Sequence, residues 1–297
     1  MTSQANVAWP LCLTPTGGGR LRPAWGRSFI RAVMLALAAF TLFAPAAKAD
    51  QPLWELGMGA GGLRLPHYRG SDQSHTLLLP VPYVVYRGRI FRATREGARA
   101  VLIDGDRLDF DISMSASVPT RSADNRARAG MPDLAPTLEL GPNLNYTLAR
   151  GASWKLDLRL PVRAVLALGS DSRDAGWTVQ PVINIDWHVA GWEVGAQVGP
   201  MWGSRRHNAY FYGVQAQYAN AQRPTYRADA GSGGWRMTAG ASRRYGALWL
   251  GAFVRADSVA GAAFEDSPLI KRRQGLHLGL AASWVFAVSD QRVPDDR

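Results

Sequence analysis

Beyond residue 50, apolar and polar residues alternate with a period of two through most of the chain, most sharply in residues 275–286. Even positions there hold Leu276, Leu278, Leu280, Ala282, Trp284 and Phe286, while odd positions hold Gly275, His277, Gly279, Ala281, Ser283 and Val285. A strand of a soluble sandwich also alternates, but it rarely sets bulky apolar groups against small or polar ones at nearly every step. Lipid on one side and a wet lumen on the other account for both faces, with Trp and Phe at the interface. Residues 154–168 repeat the pattern, with Leu156, Leu158, Leu160 and Val162 on one face and Lys155, Asp157, Arg159 and Arg163 on the other. Residues 108–118 set Leu108, Phe110, Ile112 and Met114 against Asp109, Asp111 and three serines, and 177–189 set Ile183, Ile185 and Trp187 against Asn184, Asp186 and His188.

Further strands are expected at 54–63, 76–86, 89–94, 98–103, 138–146, 192–202, 235–244 and 248–257. Outer-membrane barrels have an even number of strands, short periplasmic turns and longer external loops. With the first strand running outward, the short connections 87–88, 104–106, 149–153, 190–191 and 245–247 fall inside. The segments 64–75, 95–97, 119–135, 169–176, 203–233 and 258–274 then fall outside. A strand over 210–218 would instead put two long segments in the periplasm and end the chain outside, so 203–233 is read as one large external loop. The expected fold is an all-β, transmembrane antiparallel up-and-down β-barrel of about 12 strands with long external loops, spanning 50–286 and followed by a tail at 287–297.

Arg27 and Arg31 precede an apolar run at 32–44, followed by Ala47, Lys48 and Ala49. This reads as a secretory signal peptide over 1–49, cut before Asp50 on the way to the cell outer membrane of a Gram-negative envelope. The run is too short and Ala-rich for a spanning helix, and no stretch of 18 apolar residues occurs elsewhere. The region before it is long for a leader, and Met34 lies too deep in the run, which points to an internal start codon read here as, for example, Val7 or Leu21. The formal charge of +11 includes five basic and no acidic residues within 1–49, which leaves +6 on the mature chain. That excess is spread over loops and inward positions without a basic helix, so nucleic acid is not the expected partner. Cys12 is the only cysteine and leaves with the leader, so disulfides and cysteine metal sites are not expected.

The string SPLIKRRQGLHLGLAASWVF at 267–286 resembles the C-terminal signature of the MipA/OmpV family of outer-membrane proteins. PHYRGSD at 66–72, GMPD at 130–133 and YFYGVQAQYANAQRPTYRADAG at 210–231 match in order, so the resemblance covers essentially the whole mature chain. The tail continues past the aromatic residue that ends such proteins. The resemblance implies a non-enzymatic scaffold that interacts with a murein-degrading lytic transglycosylase and a bifunctional murein polymerase, linking peptidoglycan hydrolase and synthase activity. Other members are described as adhesins or stress-related proteins. No contact residue is assigned to such partners by motif.

Outer-membrane enzymes are the competing class, and they need a base, an orienting group and a nucleophile in reach of one another. His188 and His277 fall on inward faces and are read as lumen hydrogen-bonding groups. His67, His75 and His207 fall in loops and are read as solvated; the first two lack metal-ligand spacing. Gly57, Gly59, Gly61 and Gly62 lack the lysine and following helix of a phosphate loop and are read as small groups in the first strand. No catalytic, cofactor or metal residue is assigned. Arg121–Arg128 and Lys271, Arg272 and Arg273 are candidates for lipopolysaccharide phosphates, weighed against simple solvation. A narrow channel is the third class, although Asp109, Asp111, Glu139, Asp157, Arg159, Arg163 and Glu193 could cross-link and fill the lumen.

Overall fold

The structure, a computed structural model, describes residues 50–94, 97–169 and 173–294. The 1–49 leader with Cys12, and the last three residues of the tail, lie outside the described residues. Twelve antiparallel strands close into a barrel: β1 (Trp54–Pro66), β2 (Ser74–Arg87), β3 (Phe91–Thr94), β4 (Gly97–Asp104), β5 (Leu108–Ala116), β6 (Thr137–Arg150), β7 (Trp154–Ala167), β8 in two pieces (Arg173–Val179 and Val182–Val189), β9 (Trp192–Gly203), β10 (Gly231–Tyr245), β11 (Leu248–Ser258) and β12 (Gln274–Val288). Each strand pairs with its sequence neighbours, and β12 pairs with β1 from Leu278 opposite Arg64 to Val288 opposite Glu55, which closes the sheet. A two-residue ribbon, Gln51–Pro52 with Arg292–Val293, ties together the segments that precede β1 and follow β12.

Burial is inverted relative to a soluble protein. Leu280 is 69% exposed and Leu158 42% exposed, whereas Asp157 between the lipid-facing Leu156 and Leu158 is 1% exposed. Every even position from Leu276 to Val288 faces outward and the odd ones face the lumen or are buried, as the alternation of the sequence predicts. Among the described residues no helix is long and apolar enough to cross a membrane.

Two details differ from the sequence expectation. The strand expected at 177–189 begins at Arg173 and breaks at Gln180 and Pro181. Pro181 has no N–H for the ladder, and Gln180 N donates instead to Pro161 O at 3.2 Å. The two pieces keep the same parity, so the face assignment survives the break. Residues 204–230 form no strand, but they are not an extended loop either: they fold back over the barrel mouth around a short helix, α1 (Arg205–Tyr212). At the opposite end the connections are tight, and Ala190 and Gly191 both take positive φ, 49° and 77°, as a two-residue hairpin of the primed type requires.

Candidate functional site

The long loops converge on a dome at the outer mouth. Its base is α1, whose first turn is capped by Ser204: the hydroxyl accepts from His207 N at 3.2 Å and from Trp177 N at 3.1 Å. The helix can sit this close to β8 because residue 176 is glycine, with φ of 88°. A Cβ there would lie 2.2 Å from the Ser204 hydroxyl. α1 ends in Tyr210, Phe211 and Tyr212, and the Tyr212 ring stacks on Phe264 at 3.7 Å. Around this pair gather Val214, Val259 and Leu269 from the same two loops and Tyr68 and Leu134 from two further ones, a small apolar core separate from the membrane surface. Tyr68 donates its hydroxyl to Leu269 O at 2.7 Å. Burial raises the Tyr212 phenol to about 12 and raises that of Tyr68 as well, so both hydroxyls keep their protons.

Two guanidiniums are built into the dome. Arg128 donates to Phe211 O at 3.1 Å and Pro132 O at 3.0 Å, and Arg223 to Ala127 O at 2.9 Å and Tyr218 O at 2.7 Å. The 121–128 string therefore divides: Arg128 is structural, which corrects its place among the candidate phosphate ligands. Arg126, by contrast, is exposed and lies 3.5 Å from Asp72. Arg126 lines a cavity of about 390 Å³ with Asp72, Asn220, Gln222, Arg223 and Lys271. Arg273 pairs with Glu265 at 2.5 Å.

Inside the barrel the charges are cross-linked. Asp257 accepts from Arg236 at 2.8 Å and lies 2.8 Å from His277 Nε2 and, from the 67–73 loop, 3.2 Å from Arg69 Nε. Arg69 also donates to Gly233 O at 2.8 Å, so one loop cation ties β10 and β11. Lower down, Asp157 meets Lys155 at 3.2 Å and Arg159 at 3.3 Å, and Arg159 reaches Asp186 at 2.7 Å. Glu55 holds Arg87 at 2.8 Å and Arg244, which comes across from β10. Buried charges persist only when paired in this way.

The histidines separate into distinct environments. His277 takes the lumen role expected of it, and His188 is exposed at the periplasmic end of β8. His67, His75 and His207 correct the solvated reading. The His67 and His75 rings lie 5.0 Å apart, Asn125 Nδ2 is 3.1 Å from His67 Nδ1, and His75 belongs to β2 rather than to a loop. His207 is 9% exposed with its Nδ1 buried and unpartnered, because the loop that carries it turns inward onto the barrel. Burial first, then Arg69 and Arg236, lower its pKa to about 4. The His277 and Asp257 pair resembles the base and orienter of a hydrolase, but Asp257 is shared with two arginines. Among the described residues no hydroxyl bonds that imidazole, and no group of three or more potential metal ligands occurs. The glycine cluster serves the seam: a Cβ on Gly59 would lie 1.9 Å from Ala282 O, so glycine lets β1 and β12 meet.

A family model described as MltA-interacting protein MipA matches residues 58–286. No curated protein matches the chain. Among solved structures, an outer membrane channel from Pseudomonas putida F1 is 13% identical with a TM-score of 0.40, covering 82% of this chain and 100% of that one. The NanC porin is 8% identical with a TM-score of 0.38, covering 77% and 98%. Outer membrane phospholipase A from Escherichia coli is 12% identical with a TM-score of 0.33, covering 78% and 93%.

Proposed function

The chain belongs to the MltA-interacting protein MipA family, and from that membership we propose a non-enzymatic outer-membrane scaffold that holds murein-cleaving and murein-building enzymes near the membrane. The partners it would take are a lytic transglycosylase and a bifunctional murein polymerase. The family match over most of the barrel carries this reading. The domed mouth and the ion-paired lumen favour a rigid cylinder over an open channel. In this reading residues 1–49 are removed before Asp50, and the partners meet the periplasmic end: the short turns and the ribbon of Gln51–Pro52 with Arg292–Val293. Arg89, Asp106, Arg107, Arg150 and Arg292 are exposed there, a small charged surface suited to transient contacts rather than a stable interface of about 1,600 Å². On the outer face, Arg126 and Lys271 would take phosphates of lipopolysaccharide.

The test is affinity capture from crosslinked envelopes. A lytic transglycosylase or a murein polymerase should be recovered, and recovery should fall when the 151–153 turn is replaced or the chain is truncated after Ser289. Failure to capture either enzyme, together with discrete conductance in planar bilayers, would replace the scaffold with a channel.

A further inference from the structure

The barrel wall is incomplete on one side. Residues 88–107 must supply both β3 and β4, and 20 residues are too few for two full crossings, which need about 9–11 each plus turns. β3 has four residues, about 13 Å of strand against an apolar band about 25 Å tall. β2 accordingly pairs with β3 only at Tyr86 and Arg87, and among the described residues no strand covers 74–85 on that side. Across the gap, β5 pairs with β4 no further out than Ser113. The upper rim is closed by loop contacts, Thr120 Oγ1 donating to His67 O at 2.6 Å and Arg126 N to Gln73 Oε1 at 2.7 Å.

The open edge of β2 is built to remain unpaired. Arg87 N donates toward β1, to Leu53 O at 2.8 Å, so N–H groups at odd positions point to β1 and those at even positions point to the gap. Pro80 and Pro82 occupy two of those even positions and have no N–H. Proline on the open side of an edge strand blocks the addition of another strand.

β2 also departs from the barrel's rule for its inner face. Its inward residues are Leu77, Leu79, Val81, Tyr83 and Val85, and Tyr83 and Val85 pack with Trp249 and Val285 inside the lumen. The wall on the far side of the gap, β5 to β7, instead presents Asp111, Asn143, Asn145 and Asp157. Leu79, next to the gap, leaves 38% of its surface bare. Bare apolar surface is unfavourable in a wet lumen, and hydrocarbon entering from the adjoining bilayer would cover it.

We propose that the gap between β2 and β5 above the β3–β4 hairpin is a lateral window, through which an acyl chain of an amphiphile enters the barrel and lies against the apolar inner face of β2. The chain belongs either to a membrane lipid or to a free amphiphile, and both present the same hydrocarbon to the same wall. Strand addition by a partner at this edge is disfavoured by the two prolines.

The test uses the full mature protein in lipid vesicles, with a bimane probe on a cysteine at one of three positions: Leu79→Cys at the inner side of the window, Leu78→Cys on the lipid face, or Gln197→Cys on the far inner wall. Phospholipids brominated on the acyl chain should quench the Leu79 probe at least half as strongly as the Leu78 probe and several-fold more than the Gln197 probe. Brominated stearate added to unbrominated vesicles repeats the measurement for a free amphiphile. Quenching by the phospholipid alone assigns the window to membrane lipids, and quenching by stearate alone assigns it to free amphiphiles. Leu79 quenched no more than Gln197 in both arms overturns the proposal, provided the three variants show the same heat-modifiable migration as the parent protein.

Discussion

Leu158 and Asp157 are neighbours in the chain and face opposite solvents. Leu158→Arg puts a charge against acyl chains and should cost about 2–4 kcal/mol near the midplane, read from urea unfolding in vesicles. Asp157→Asn should cost less, because Arg159 keeps Asp186 at 2.7 Å when one of its carboxylates is neutralised. Equal losses would contradict the two-solvent reading of β7. His207 supplies a pH dependence of its own. Its folded pKa, about 4, lies below the ordinary 6.5, so between these values the unfolded dome binds a proton that the folded dome refuses. Stability is therefore full above about pH 6.5 and declines as the pH falls toward 4, by on the order of 3 kcal/mol. Near-ultraviolet circular dichroism of the dome tyrosines should show unfolding at lower temperature at pH 4.5 than at pH 7. His207→Gln should remove most of that difference.

Among the elements, α1 depends most on a residue outside itself. Gly176→Ala forces a side chain into a left-handed position, costing about 1–2 kcal/mol from φ alone, and drives a methyl group into the Ser204 cap. The expected outcome is protease cleavage within 204–230 while heat-modifiable migration of the barrel is retained; a protected loop would show that the dome does not need this seat. The alternation that defines the strands is visible in the sequence because each strand is flanked by lipid and lumen, whatever its partners. The broken β8 is less legible, since Pro181 in an otherwise good pattern does not reveal that Gln180 rejoins the ladder through Pro161. α1 gave no usable signal: Arg205–Tyr212 is eight residues long and is stabilised by Ser204, Gly176 and Phe264 rather than by an amphipathic repeat.

For the whole molecule, an even number of strands puts the dome and the tight turns at opposite ends of the barrel, and the rule of short periplasmic turns predicts the dome outside. A cysteine at Asn220 should react with an impermeant maleimide on intact cells and one at Gly191 should not; the reverse labelling would invert the barrel. The barrel, its strand count and its inward charges were legible in the sequence alone, because a period of two between lipid and water leaves one residue type per face. The resemblance at 66–72, 130–133 and 210–231 was legible too, as strings. That these strings meet in one dome, with Tyr68 bonded to Leu269 and Arg128 to the end of α1, was decided only by tertiary structure. Contacts between loops so distant in sequence leave no local periodicity to read. The same holds for the buried His207, whose loop looked solvated until it folded inward. The short β3–β4 hairpin was countable in the sequence, but only the closed sheet shows that it leaves β2 with an open, proline-guarded edge.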